Sequence, residues 1–187
     1  MPKESFVQDW CVPMLVISGS YILAFFATFT FVMPIQNSVF PAFGNYASLL
    51  FLPHGVRVVS AWLYGWRSIA LLAPGAVFTH SYLYGSDGFS IDYMMAVFFG
   101  VFCAALSFWF FSRMGMEFRI HKSARRNWRD VMLVGGAASV LNAGGTAVFF
   151  GNDLATMSAR FLGDLTGMIV STYILMLIFR FARRRES

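Results

Sequence analysis

The chain has 187 residues, 58% hydrophobic and 12% charged, with 22 phenylalanines and a formal net charge of +5. A soluble domain carries roughly 25% charged residues, so this composition excludes one and predicts an all-α, polytopic transmembrane bundle forming a single domain over 1–187. The basic residues sit at the ends of apolar runs, where membrane topology accounts for them, and nucleic-acid binding is not implied.

The segment before Val12 carries Lys3 against Glu4 and Asp9. The apolar run that follows is too long for a signal sequence and lacks a small-residue cleavage site, which predicts a retained first span over about 12–34. A second span is predicted over about 46–64. It contains Pro53-His54-Gly55 and then Arg57. Proline removes a backbone donor and the adjacent glycine lets the chain bend, so this span is predicted to kink or break near its middle. Backbone groups freed there cannot face lipid and must be packed in protein or line a cavity.

The turn Gly65-Trp66-Arg67 leads into a third span, about 67–84, with His80 toward its far end, and a fourth follows over about 92–112. The loop 113–130 is the most polar stretch, with Arg113, Arg119, Lys122, Arg125, Arg126 and Arg129. The fifth span, about 131–150, holds Asn142 amid Gly135, Gly136, Gly144 and Gly145. Gly151-Asn152-Asp153 reads as the N-cap of a sixth span, about 154–179. The tail 180–187 carries Arg180, Arg183, Arg184 and Arg185.

If loop 113–130 and the arginine tail both face the cytoplasm, tracing backwards puts Arg67 and Lys3 there too. The opposite loops, 35–45, 85–91 and 151–153, hold no lysine or arginine. The asymmetry predicts about six spans with both termini inside. Trp10, Trp66, Trp128, Tyr46, Tyr64, Tyr82, Tyr84 and Tyr93 fall near span ends, as an aromatic belt requires. The basic loop and tail are candidate contacts for anionic lipid or a protein partner, although topology alone explains their charge.

Arg57, Arg160 and Asp164 are ionisable groups at bilayer depth, each costing about 2.5–3.5 kcal/mol on insertion scales. Arg160 and Asp164 share a helix face at i,i+4 spacing. Gly163, Gly167 and Ser171 open the surface beside them to close approach by a neighbouring helix. Asp164 can pair with Arg160 or bridge to Arg57, and either choice leaves one cation in excess. Asn142 is a candidate further acceptor, and His54 shares the face of Arg57. These five residues, His54, Arg57, Asn142, Arg160 and Asp164, form the candidate ligand site, suited to a small anionic or polar molecule. A structural clamp between spans two and six is the competing reading. Cys11 and Cys103 lack metal-ligand spacing, no two histidines share a depth for haem, and HExxH, phosphate-loop and nucleophile-elbow patterns are missing. No metal, cofactor or catalytic activity is expected.

Leu52-Pro53-His54-Gly55-Val56, Gly65-Trp66-Arg67, Pro74-Gly75-Ala76 and Arg160-Phe161-Leu162-Gly163-Asp164-Leu165-Thr166-Gly167 resemble the motifs of MASE-type membrane-associated sensor domains. The family pattern opens a span with Trp-Pro-Pro-Ala-Gly, turns at Gly-x-Arg, and carries Trp-Leu-Gly-Asp-x-x-Gly late in the chain. The resemblance implies a multi-pass sensory module of the bacterial inner membrane. This sequence departs from it in having about six spans rather than eight, in Leu52, His54 and Arg57, and in lacking an output domain after the sixth span. A sensor of this form must signal through a separate partner. Two other functions fit the same residues: a substrate-capture subunit or small transporter for a metabolite, and an assembly subunit of a membrane complex.

Overall fold

The computed structural model describes residues 6–39, 48–116, 128–151 and 153–185, the side chains of 149–150 and 178–185 excepted. Most of the basic loop and the side chains of the arginine tail therefore lie outside the described residues. Among the described residues six long helices are present: α1 (Val7–Val39), α2 (Leu52–Tyr64), α3 (Arg67–Tyr84), α4 (Ile91–Arg113), α5 (Trp128–Phe150) and α6 (Leu154–Arg185). No strand occurs among the described residues. Stretches of α1, α4, α5 and α6 are long and apolar enough to cross a membrane. Their outward surfaces expose large apolar side chains, among them Leu15, Leu23, Phe98 and Val148. In water such a surface would be costly, whereas lipid tails solvate it. The chain is a membrane protein.

α2 has 13 residues and is only about 20 Å long, short of the roughly 30 Å of hydrocarbon. It is also the most enclosed element, touching each of the other five helices. Here the prediction of a second span broken near its middle needs correcting. Pro53 and Gly55 lie in the first turn of α2, and the helix runs on to Tyr64 without interruption. Proline is tolerated there because first-turn N–H groups have no helical partner. The irregular chain lies before the helix, at 48–51.

The backbone of that segment is bonded in part to its neighbours and in part to its own Ser48 hydroxyl. Leu49 N–H donates to Gln36 Oε1 (2.7 Å), Leu50 N–H to Ser48 Oγ (3.3 Å), Phe51 N–H to Gly163 O (2.8 Å) and Leu52 N–H to Thr28 Oγ1 (3.3 Å). The Thr166 and Ser171 hydroxyls donate to the carbonyls of Leu49 (2.5 Å) and Leu52 (3.1 Å). Non-helical backbone survives at membrane depth only when its polar groups are met in this way. The glycines of α6 make the approach feasible. A Cβ at Gly163 would run into Ser48 O, one at Gly167 into the Phe51 backbone, and one at Gly55 into Ser171 Cβ. The small-residue stripe of α6 therefore seats irregular chain and the start of α2, rather than the face of a full-length helix.

Two other prolines are accommodated by specific devices. In α3, Ser18 Oγ inserts beside Pro74, donating to Leu71 O (2.7 Å) and accepting from Gly75 N–H (3.1 Å). Gly75 permits this, since a Cβ there would stand 2.8 Å from Ser18 O. In α1 a π turn at Thr28–Val32 precedes Pro34, relieving the clash of its ring with the carbonyl one turn back.

The half of the bundle toward Gly65 and Arg113 is closed by small and medium side chains. Val58, Ala61, Ala104, Phe108, Val134, Ala138 and Met168 form one buried cluster, and Ile17, Leu71, Leu72, Ala76 and Val101 a second. Gly135 is part of this fit, because a Cβ there would strike Met168 Sδ. Gly136 is not, its nearest neighbour being Leu165 Cδ1 at an ordinary 3.8 Å. All five tryptophans gather at this end. Trp62 packs on Trp128, Trp66 on Trp109, and Arg67 lies 4.3 Å over the Trp10 ring while donating to Asp9 O (2.6 Å).

Candidate functional site

Toward the other end, where α3 stops and α6 begins, the helices enclose a cavity of 780 Å³. Its size is that of a site for a drug-sized molecule, about 300–1,000 Å³. Arg57, Asn142, Arg160 and Asp164 all line it, so the fold brings together on one wall system four of the five residues singled out from sequence. His54 is not on the lining. It lies behind Asp164, fully buried.

Arg57 is 8% exposed. Its NH2 donates to the Tyr21 hydroxyl at 2.6 Å. The guanidinium carbon stands 5.4 Å from the Tyr21 ring centre and 5.6 Å from that of Phe51. Gly100 leaves the room it occupies, since a Cβ there would be 3.2 Å from both NH1 and NH2. Of the five N–H groups a guanidinium carries, one is donated among the described residues, and Nε has no acceptor. A charge-assisted hydrogen bond contributes about 1.5–3 kcal/mol and a ring contact about 0.5–1 kcal/mol at exposed sites. The effective cost of burying one ion is several kcal/mol. The protein thus offsets part of the burial cost of Arg57 and leaves hydrogen-bonding capacity at the cavity.

The carboxylate of Asp164 takes neither of the arginine pairings weighed from sequence. Oδ2 accepts from Asn142 Nδ2 at 2.6 Å, so Asn142 acts toward it as a donor. The other neighbour of the carboxylate is His54, whose Nδ1 lies 3.5 Å from Oδ2. On the far side of the ring, Nε2 is 3.0 Å from Ser139 Oγ and 3.4 Å from Gly135 O. The Ser139 hydroxyl also lies 3.0 Å from Gly135 O, and its one hydrogen goes to that carbonyl or to Nε2 according to the tautomer of the ring. Ser139, His54 and Asp164 are ordered like a nucleophile, base and acid. Ring and hydroxyl are nevertheless completely buried and off the cavity lining, so a molecule in the cavity does not meet Ser139. The three residues tie α5, α2 and α6 together at one level.

Arg160, half-buried, lies one turn nearer the mouth than Asp164. His80 also lines the cavity, its ring tilted against those of Tyr84 at 4.6 Å and Tyr93 at 5.6 Å. Asp153 caps α6 as predicted, Oδ1 accepting from Thr156 N–H at 3.0 Å, and hydrogen bonding by the Thr156 side chain, together with that N–H, holds its carboxyl below the ordinary range.

Tyr21, Phe51 and Gly100 are essential to the setting of Arg57, and none was singled out from sequence. Tyr21 left a signal: it lies too deep in the first span for an aromatic belt, and a phenol at that depth needs a polar partner. Phe51 and Gly100 left none, because their roles exist only once α2 and α4 are side by side. The chain matches no family model, no curated protein and no solved structure.

Proposed function

We propose that this chain is a multi-pass ligand-binding module of the bacterial inner membrane, sensory in kind, whose cavity takes a small anionic or polar molecule and whose response passes to a separate partner. The observation that carries the reading is Arg57: a guanidinium buried at mid-bundle, on the wall of a 780 Å³ cavity, with one hydrogen bond. A clamp between helices would engage the fork of the arginine with a carboxylate. Here the carboxylate at hand, Asp164, is held by Asn142 and His54 instead.

In this reading all six helices count as spans, with α2 preceded by irregular chain in place of a full-length start, and both termini lie in the cytoplasm. The gathering of tryptophans with Arg67, Arg113 and Arg129 at one end supports that orientation. The resemblance of its short motifs to those of MASE-type domains supports the sensory role. Isothermal titration of the purified protein against a panel of anions tests the site. Arg57→Gln is expected to abolish the heat of at least one, and identical profiles across the panel would rule the site out.

A transport role has one specific observation in its favour. The non-helical segment 48–51, leading into the short helix that carries Arg57, is the kind of discontinuity from which transporters build midplane sites. Accumulation of labelled ligand in cells expressing the wild type but not Arg57→Gln would decide for transport, since a sensor accumulates nothing.

A further inference from the structure

The cavity has a charged floor and an apolar wall, and that polarity narrows its ligand. We propose, building on the reading of the cavity as a ligand site, that it takes an amphipathic monoanion: a carboxylate on an aromatic or short aliphatic body, with its head on Arg57 and its body along α1.

Charge sets the valence. On the described lining Arg57 has no carboxylate against it, because Asp164 is held by Asn142 and His54. One negative charge on the ligand matches that one guanidinium. A second would lie uncompensated beside Asp164 in a space of low dielectric, where like charges repel strongly. The position of that charge follows from Arg57, which keeps N–H groups without acceptors while Tyr21 holds NH2 in place.

Shape sets the body. On α1 the residues Tyr21, Phe25, Phe29 and Met33 recur every fourth position, and all four line the cavity. They form a track from Arg57 toward the mouth, with Phe25 and Phe29 in ring contact at 4.4 Å. At the helical rise the step from Phe25 to Met33 covers about 12 Å. Across from it α3 presents Ala76, small, at the level of the floor and Leu83 at the level of the mouth. A bare oxyanion would leave the aromatic track and most of the 780 Å³ without a partner. A neutral apolar molecule would bury Arg57 without relieving it, which costs more than an apolar fit returns.

Octanoate and indole-3-acetate, two bodies on one head group, are the probes, with acetate, inorganic phosphate and octanamide as controls. Each is titrated into the protein in lipid nanodiscs, with empty discs subtracted. Each added CH₂ is worth about fourfold in a fully apolar site, so octanoate or indole-3-acetate is expected to bind at least 100-fold more tightly than acetate. Octanamide is expected to lose at least tenfold. Phe29→Ala, which leaves Arg57 in place, should weaken octanoate about tenfold and acetate not at all. Arg57→Gln should bring octanoate down to the level of octanamide. If acetate or phosphate binds as tightly as octanoate, and Arg57→Gln removes that binding, the inference fails while the anion site stands. If no anion binds in a way that depends on Arg57, both fail. Equal binding of octanoate and octanamide would also overturn it, whatever the variants do.

Discussion

The two halves of this bundle are built from the same six helices and differ in what they do with space. Toward Gly65 the helices close on Val58, Ala61, Ala104, Val134, Ala138 and Met168, and a single methyl added at Gly135 would make the Met168 side chain shift. Toward Tyr84 the same helices stand around a 780 Å³ void lined by Phe25, Phe29, Asn142 and charged groups. The boundary is the level at which Ser139, His54, Asp164 and Asn142 join α5, α2 and α6. Small side chains let helices meet in the first half. In the second, α2 has not yet begun, and the irregular chain 48–51 fills less of the bundle than a helix would. Lipid supplies no hydrophobic drive to collapse the remaining gap, so the fold maintains a hollow next to a dry, close-packed region.

Several substitutions break or sharpen this contrast. The largest effect is expected at the seam that admits the irregular chain. Gly167→Leu would drive a side chain into the Phe51 backbone, and overpacking of this kind costs about 3 kcal/mol or more. Little folded protein should be recovered in detergent, and a normal melting profile would show that the seam does not need the glycine. Next is the polar level between the halves. Asp164→Ala strips Asn142 and His54 of their shared partner, and loss of one member of a buried charged set costs about 3 kcal/mol. A chemical-denaturation series against Asn142→Ala and the double variant should reveal strongly non-additive losses.

The direct test of the two regions uses one substitution in each. Ala104→Leu, in the closed half, should destabilise by about 1–3 kcal/mol. Ala96→Leu, on the cavity wall, should change stability by about 1 kcal/mol or less, because there is space to fill. It should also remove ligand binding. Similar losses for the two would mean that the hollow is not a real difference between the halves. The smallest effect lies outside the membrane at Asp153, fully exposed, whose carboxylate caps α6. Its pKa is lowered on folding from 3.8, so the contribution of the cap is present above that pH and is lost as pH falls through the lowered value. Asp153→Ala should melt slightly earlier than wild type at neutral pH, and the gap should close in acid.

Much of the site was legible in the chain itself. Arg57, Arg160 and Asp164 stood out because ionised groups at bilayer depth are costly and therefore rare, and Asn142 because it interrupts an apolar, glycine-rich run. The structure places all four on the lining of one cavity. Their pairing was not legible. Reading i,i+4 spacing and formal charge alone, one assigns Asp164 to an arginine, yet the carboxylate is held by an amide from α5 and faces an imidazole from α2. The glycines of α6 were recognised as a place of close approach, but not that the visitor would be irregular chain. Pro53 and Gly55 pointed to a discontinuity, and the discontinuity lies a few residues earlier, because proline fits a first helical turn as readily as it disrupts an interior one.

What the amino-acid sequence by itself determined is the medium and the cost: long apolar runs that belong in lipid, basic residues and tryptophans at their ends, and a few ionisable groups that need shelter. These follow from transfer free energies, which are properties of each segment alone. Tertiary structure alone decided how that shelter is made. Whether a guanidinium meets a carboxylate, a phenol or an empty space depends on which faces of which helices are adjacent, and adjacency is set by contacts between residues as far apart as Thr166 and Leu49.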